Sequence, residues 1–387
     1  MYPTWSNGPL AAAGSQRTRN SYWKGNYGPM QDELIRKTIL SIRAGNDAYR
    51  VEAKRHLDSL TKPIGSLGKL EEVAAQYVAW REEKTPAISR KAVYVFAADH
   101  GITEEGISAY PRDVTPQMVY NFLNGGAAIN VLARQANSEV VIVDVGVDAD
   151  FAEADGLVKR KIRRGTRNFA REAAMTEEEL NAALKVGIEL AGEAKQQGRT
   201  LIALGEMGIG NTTSASAIAA ALMGLPAAQV TGRGTGLDAE RCARKAEVID
   251  RALQMHFPQR PDVVPDPLEV LRRVGGLEIA AIAGMVLGAA AQRIAVVIDG
   301  FICTAGAAVA CALAPEARAA IFAGHLSEEP GHHLLLESMK LKPLLQLDMR
   351  LGEGSGAALA FHVIEASIHI YNEMATFGSA GISQAGQ

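Results

Sequence analysis

The sequence predicts an α/β fold: a Rossmann-like, mostly parallel sheet flanked by helices, with a smaller helical subdomain from the N- and C-terminal segments. Three observations predict it. Short continuous apolar runs alternate with longer helical stretches, which requires crossover connections and hence a largely parallel sheet. Hydrophobic residues make up 48% of the chain and aromatics only 5%, with abundant glycine and alanine, which suits close-packed helices on a sheet better than a β-sandwich. Acids, histidines and glycines also gather just after the apolar runs, where open parallel sheets bind their ligands.

Residues 1–30 carry Arg17, Arg19 and Lys24 but no acid. They are read as a disordered extension without assigned function, a transit peptide being the other reading. Residues 31–90 form the first part of the helical subdomain. Leu57, Leu60, Leu67, Leu70 and Val73 punctuate it, and Pro63 and Gly65 mark a turn within LTKPIGSLGKLEE.

Residues 91–356 form the α/β catalytic domain. Its expected strands are Lys91–Ala98, Glu139–Val145, Leu201–Leu204, Ile294–Ile298 and Ala319–Ala323, each a short apolar run bounded by turn residues. Leu344–Leu347 is either a sixth strand or a short helix. Helical stretches are expected at Thr115–Arg134, Thr176–Gln197, Ser214–Met223, Asp238–Met255, Glu278–Gln292 and Thr304–Ala312. Residues 357–387 supply a C-terminal helix, Ala357–Thr376, that returns to the helical subdomain. Asp99, His100, Glu206, Asp299, His325 and Glu353 all fall at the carboxyl end of the expected sheet.

Composition excludes several functions. A net charge of −3 without a basic run gives no electrostatic case for nucleic acid. The most apolar region, Leu277–Ala314, is interrupted by Glu278, Arg293 and Asp299, so it falls short of the roughly 20 apolar residues of a membrane helix. The three cysteines, Cys242, Cys303 and Cys311, form no CxxC pair, which fits a reduced cytoplasmic protein.

The stretch Thr200–Ser216 (TLIALGEMGIGNTTSAS) joins a strand, a loop with Gly208 and Gly210, and a helix opened by Asn211, Thr212 and Thr213. Backbone amides at such a loop make an anion site. An ordinary strand-to-helix turn with an Asn or Thr cap reads equally well. Glu206 would repel a phosphate and so faces another part of the ligand. Thr231–Asp238 (TGRGTGLD) is a second glycine loop, leading to Lys245, with a phosphate cradle and a capped turn as its two readings. Glu353 stands between glycines in LGEGSG, where partial burial would raise its pKa toward that of a general base. His362 and His369 share a helix face and read as core or interface residues. His325, His332, His333, Asp99 and His100 lack the spacing of a metal site, so no metal or cofactor is expected.

Several longer motifs coincide. They are LTKPIGSLGKLE (Leu60–Glu71), ADHGITEEGISAYPRDVTPQMV (Ala98–Val119), NGGAAINVLARQ (Asn124–Gln135) and GEMGIGNTTSASA (Gly205–Ala217). TGRGTGLD, DGFICTAGA (Asp299–Ala307), HLSEEPGH (His325–His332) and LGEGSGAALA (Leu351–Ala360) continue the series. Through them the chain resembles the nicotinate-nucleotide–dimethylbenzimidazole phosphoribosyltransferase family from about Asp32 to Ile382. The resemblance implies transfer of a 5-phosphoribosyl group from nicotinate mononucleotide to 5,6-dimethylbenzimidazole, giving α-ribazole 5′-phosphate for cobalamin assembly. It implies that Glu353 is the general base, that Glu206 is a second acid near the ribose and the incoming base, and that Asp299 supports the site. The phosphate and ribose would lie on Gly208, Gly210, Asn211, Thr212, Gly234, Lys245 and Ser327. The aromatic base would lie against Ser108, Tyr110, Gln117, Met207 and Leu351. A homodimer is also implied. Two other readings keep the fold: a purine or phenolic acceptor, or a non-catalytic nucleotide binder, against which the two acids argue.

Overall fold

Among the described residues, three helices lead into the sheet: α1 (Glu33–Ser41), α2 (Asp47–Ser59) and α3 (Lys69–Arg81). Asp32 and Asn46 cap the first two through side-chain oxygens that accept backbone N–H groups. The computed structural model describes residues 32–151, 155–234, 236, 238–259 and 263–383, so the expected extension at 1–30 lies outside the described residues.

The sheet then opens with β1 (Lys91–Ala98), followed by α4 (Val114–Leu123), α5 (Ala128–Gln135), β2 (Glu139–Gly146) and β3 (Leu157–Lys159). Next come α6 (Glu177–Gln196), β4 (Leu201–Met207), α7 (Asn211–Met223), α8 (Ala227–Val230), α9 (Ala239–His256), α10 (Pro267–Val274) and α11 (Leu277–Ala291). The chain ends through β5 (Ala295–Ile298), α12 (Phe301–Leu313), β6 (Ile321–Leu326), α13 (Pro330–Ser338), β7 (Pro343–Gln346), α14 (Ser355–Glu373) and α15 (Phe377–Ala380). All strand pairs are parallel, in the order β3-β2-β1-β4-β5-β6-β7.

That order explains the apolar runs. Central strands of a parallel sheet are covered on both faces, so neither face of β1 or β4 carries a solvent-facing set. On one side α11 lies against β1, β2, β4 and β5 and packs on α6 and α12. Gly187 and Gly284 allow this closeness: a β-carbon at Gly284 would lie 2.0 Å from the Leu184 carbonyl oxygen. On the other side α14 packs against β4, β5 and β6 and reaches α3 and α5.

Four expectations need correction. The single helix expected at Thr115–Arg134 is two, because Gly125 turns with φ 74° and Gly126 sits where a β-carbon would strike Asn121 Oδ1 at 2.5 Å. β3, three residues at the sheet edge, carries too short a pattern to read. The strand expected at Ala319–Ala323 spans Ile321–Leu326 instead, since Pro315–Ala320 coils as a 3-10 helix. α10 and α13 occupy stretches to which no element is assigned from the sequence, each opening with a proline at its first turn.

The chain winds outward one way through β1, β2 and β3 and the other way through β4 to β7. Between β1 and β4 the crossovers diverge, leaving a crevice beyond the carboxyl ends of the strands. Phe96 pairs with Glu206 and Ala97 with Met207 across that gap, which sets the level of everything described next.

Candidate active site

A cavity of about 700 Å³ opens there. Its walls come from the end of β4 (Glu206, Met207), the turn into α7 (Gly208, Ile209, Asn211, Thr212), the ends of β5 and β6 (Gly300, His325, Ser327) and the loop after β7 (Met349–Glu353).

Glu206 is 7% exposed, and its Oε2 accepts a hydrogen bond from Asn211 Nδ2. The glycines around it set the fit. A β-carbon at Gly352 would stand 2.5 Å from Glu206 Oε1, and one at Gly205 would stand 2.4 Å from the Glu353 carbonyl oxygen. β4 and the Glu353 loop therefore touch through backbone, which brings both acids to one cavity. Burial, then the nearby charges of Glu278 and Asp299, push Glu206 up to about 8.

Glu353 adopts a left-handed backbone, φ 65°, between Gly352 and Gly354, which are also left-handed. It is 6% exposed, with the Ile129 N–H 3.4 Å from Oε2. Burial, reinforced by Asp299, raises its pKa. No cation pairs with Glu206 or Glu353 among the described residues.

Asp299, at the end of β5, is buried behind this loop and does not line the cavity. Its Oδ1 accepts from Gly356 N at 2.7 Å and Ala357 N at 3.0 Å, and its Oδ2 from Gly354 N at 3.1 Å. A carboxylate here satisfies the otherwise unpaired amides at the start of α14 and fixes the strained turn before it. His325 Nε2 lies 3.5 Å from Oδ1. Burial raises the Asp299 pKa against the opposing pull of His325 and those amides.

The residues expected at phosphate and ribose divide. Gly208, Asn211, Thr212, Gly234 and Ser327 line the cavity, and Gly210 lines a small adjoining one together with Ser108. Asn211 spends its amide on Glu206. Lys245 is fully buried one layer back, its Nζ donating to Thr212 Oγ1 at 2.8 Å. Burial drives it down to about 8, while Glu329 holds it up. Ser327 is set by His332: the Ser327 N–H donates to Nδ1 at 3.0 Å, so that nitrogen carries no hydrogen, and Nε2 donates to Thr304 Oγ1 at 2.9 Å. Burial pushes His332 down to about 3, which keeps the ring neutral.

Of the residues expected at the base, Met207, Tyr110 and Leu351 line the cavity. Gln117 is exposed on α4 and lines neither cavity. Val114, which lies within the Ser108–Gln117 segment expected at the base, completes an apolar wall with Met118 and Ile302, which no expectation names. Also unforeseen is a buried pair behind Gly208: His100 Nε2 lies 2.6 Å from Glu278 Oε1, and His100 Nδ1 lies 3.1 Å from Ser214 Oγ. The lone acid in the apolar run of α11 was its only signal. Asp99 accepts the Asp148 N–H at 2.8 Å and holds a turn.

Glu206 makes stability depend on pH with a definite sign. Between its ordinary 4.5 and about 8, the native state keeps a proton that the unfolded chain releases. This contribution is complete below 4.5 and lost as pH rises toward 8, on the order of 5 kcal/mol in all. Denaturant melts from about pH 5 to about pH 8 should show wild type losing stability more steeply than Glu206→Gln. Parallel slopes would show that Glu206 is ionised throughout.

Comparison with known proteins bears on this site. A family model described as a phosphoribosyltransferase matches residues 42–382. The nicotinate-nucleotide–dimethylbenzimidazole phosphoribosyltransferase of Geobacter sp. (strain M21) is 54% identical over 351 residues, 91% of this chain and 99% of that protein. The protein of the same name from Chloroflexus aggregans is 50% identical over 351 residues, 91% of this chain and 98% of that one. Among solved structures, the nicotinate-nucleotide–dimethylbenzimidazole phosphoribosyltransferase of Thermus thermophilus superposes with a TM-score of 0.83 at 48% identity, covering 88% of this chain and all of that one.

Proposed function

The chain belongs to the nicotinate-nucleotide–dimethylbenzimidazole phosphoribosyltransferase family, and from that premise we propose how its cavity works. The protein transfers a 5-phosphoribosyl group from nicotinate mononucleotide to 5,6-dimethylbenzimidazole. The observation that carries the mechanism is that Glu206 and Glu353 share one cavity with neither carboxylate neutralised by a cation among the described residues.

The donor carries a pyridinium, so its ring leaves as a neutral pyridine nitrogen that takes the bonding pair and needs no proton. Positive charge then develops at C1′. Glu206 meets the donor as the carboxylate, because the approaching pyridinium favours ionisation and the proton passes to solvent, and it supplies negative charge beside C1′. The acceptor lies on Met207, Val114 and Ile302. Glu353 takes the benzimidazole N–H proton while the other ring nitrogen attacks C1′ opposite the leaving ring, inverting that carbon. Thr212, Gly234 and Ser327, backed by Lys245, hold the phosphate and so fix the donor for in-line attack.

Tyr110 and Leu351, 51% and 56% exposed at the cavity mouth, support a homodimer that covers them. The unpaired cysteines support a cytoplasmic setting. The direct test incubates the protein with nicotinate mononucleotide and dimethylbenzimidazole. Equal amounts of α-ribazole 5′-phosphate and nicotinate are expected, and absence of both would sink the assignment.

A further inference from the structure

Charge is distributed unevenly around the cavity. Glu206, Glu329 and Glu353 contribute three carboxyl groups to its lining, and Arg350 the single Lys or Arg side chain among the described lining residues. Arg350 is exposed at the mouth, on the loop between β7 and α14. Its guanidinium makes no hydrogen bond or ion pair with any described residue, although Asp348 and Glu353 stand within three positions of it. The loop beneath is nonetheless held at both ends. Met349 O accepts the Glu328 N–H at 3.2 Å, and Asp299 Oδ2 accepts the Gly354 N–H at 3.1 Å. An arginine unpaired on an anchored loop, facing an acid-rich cavity, suits a ligand carboxylate.

The donor has two anionic ends, its 5′-phosphate and its ring carboxylate, with the pyridinium between them. Lys245 lies behind Thr212 on the phosphate side. The ring carboxylate then faces repulsion from Glu353, and from Glu206 once the pyridinium has ionised it, unless a second cation meets it. We propose that Arg350 receives the carboxylate of the nicotinate ring and thereby makes the site select nicotinate mononucleotide over nicotinamide mononucleotide. The inference rests on the reading of the cavity given above. Guanidinium and carboxylate match as a two-point pair, which a neutral amide cannot reproduce. Selection is therefore expressed in donor binding, with the proton transfer at Glu353 left to its own groups.

The test compares wild type, Arg350→Gln and Arg350→Lys with both mononucleotides and saturating dimethylbenzimidazole. Thermal melts first establish that the variants fold. In Arg350→Gln the ratio of kcat/KM for nicotinate over nicotinamide donor should fall about tenfold to a hundredfold, mostly through a higher KM for the nicotinate donor. Arg350→Lys should restore part of that ratio. An unchanged ratio overturns the proposal, whether both donors suffer equally, as for a phosphate contact, or neither does. If wild type turns over neither donor, the parent reading fails instead. Calorimetric binding of nicotinic acid itself then decides, a several-fold weaker affinity in Arg350→Gln supporting the contact and equal affinities refuting it.

Discussion

Replacing Glu353 with glutamine is expected to lower kcat by about 10²- to 10⁴-fold while leaving the donor KM within about threefold. The amide keeps the size and shape of the side chain, and its oxygen can still accept the Ile129 N–H. What it loses is a lone pair basic enough to take the acceptor's proton. The same backbone at φ 65° must be held by either residue, so the fold is not at issue. Steady-state kinetics with both substrates varied would check this, with a stability measurement alongside. Turnover within about threefold of wild type would remove Glu353 from the proton transfer.

Asp299→Ala should have the other large effect, and it acts on structure first. The carboxylate accepts three buried N–H groups, from Gly354, Gly356 and Ala357, at the opening of α14. Removing it deletes a helix cap and leaves those donors without partners. A loss of about 3–5 kcal/mol of stability is expected, with turnover falling as the Glu353 loop loosens. Asp299→Asn separates the two roles, because it retains an acceptor but removes the charge. Asp299 raises the Glu353 pKa, so in Asp299→Asn the acid limb of the kcat–pH profile should move to lower pH. Denaturant melts and pH–rate profiles of both variants would check these outcomes. An Asp299→Ala protein as stable as wild type would refute the capping role.

Much of the fold was legible because parallel strands buried on both faces leave unbroken apolar runs, as KAVYVFAA does for β1. The stretch Leu344–Leu347, ambiguous by periodicity, proves to be β7, an edge strand whose first residue is Pro343, a position where a missing N–H is tolerated. The helix break at Gly125 and Gly126 is hidden in the sequence because apolar residues continue at helical spacing across it. In the site, Glu206 and Glu353 could be read as candidates from their places at a strand end and in a glycine turn. Their roles came from the family motifs. The burial of Asp299 against α14, the seat of Lys245 beneath Thr212 and the pairing of His100 with Glu278 join residues far apart in the chain. A linear pattern does not contain such encounters.

The contact of the Glu353 turn with Gly205 has a consequence for synthesis of the protein. One wall is laid down in the middle of the chain, the opposing acid only after β7, and the two meet when α14 docks. A nascent polypeptide still lacking the segment after β7 would carry Glu206 without its counterpart and remain inert. Chemistry is thus deferred until the helix after the last strand has docked on the sheet, so onset of turnover marks completion of the tertiary structure.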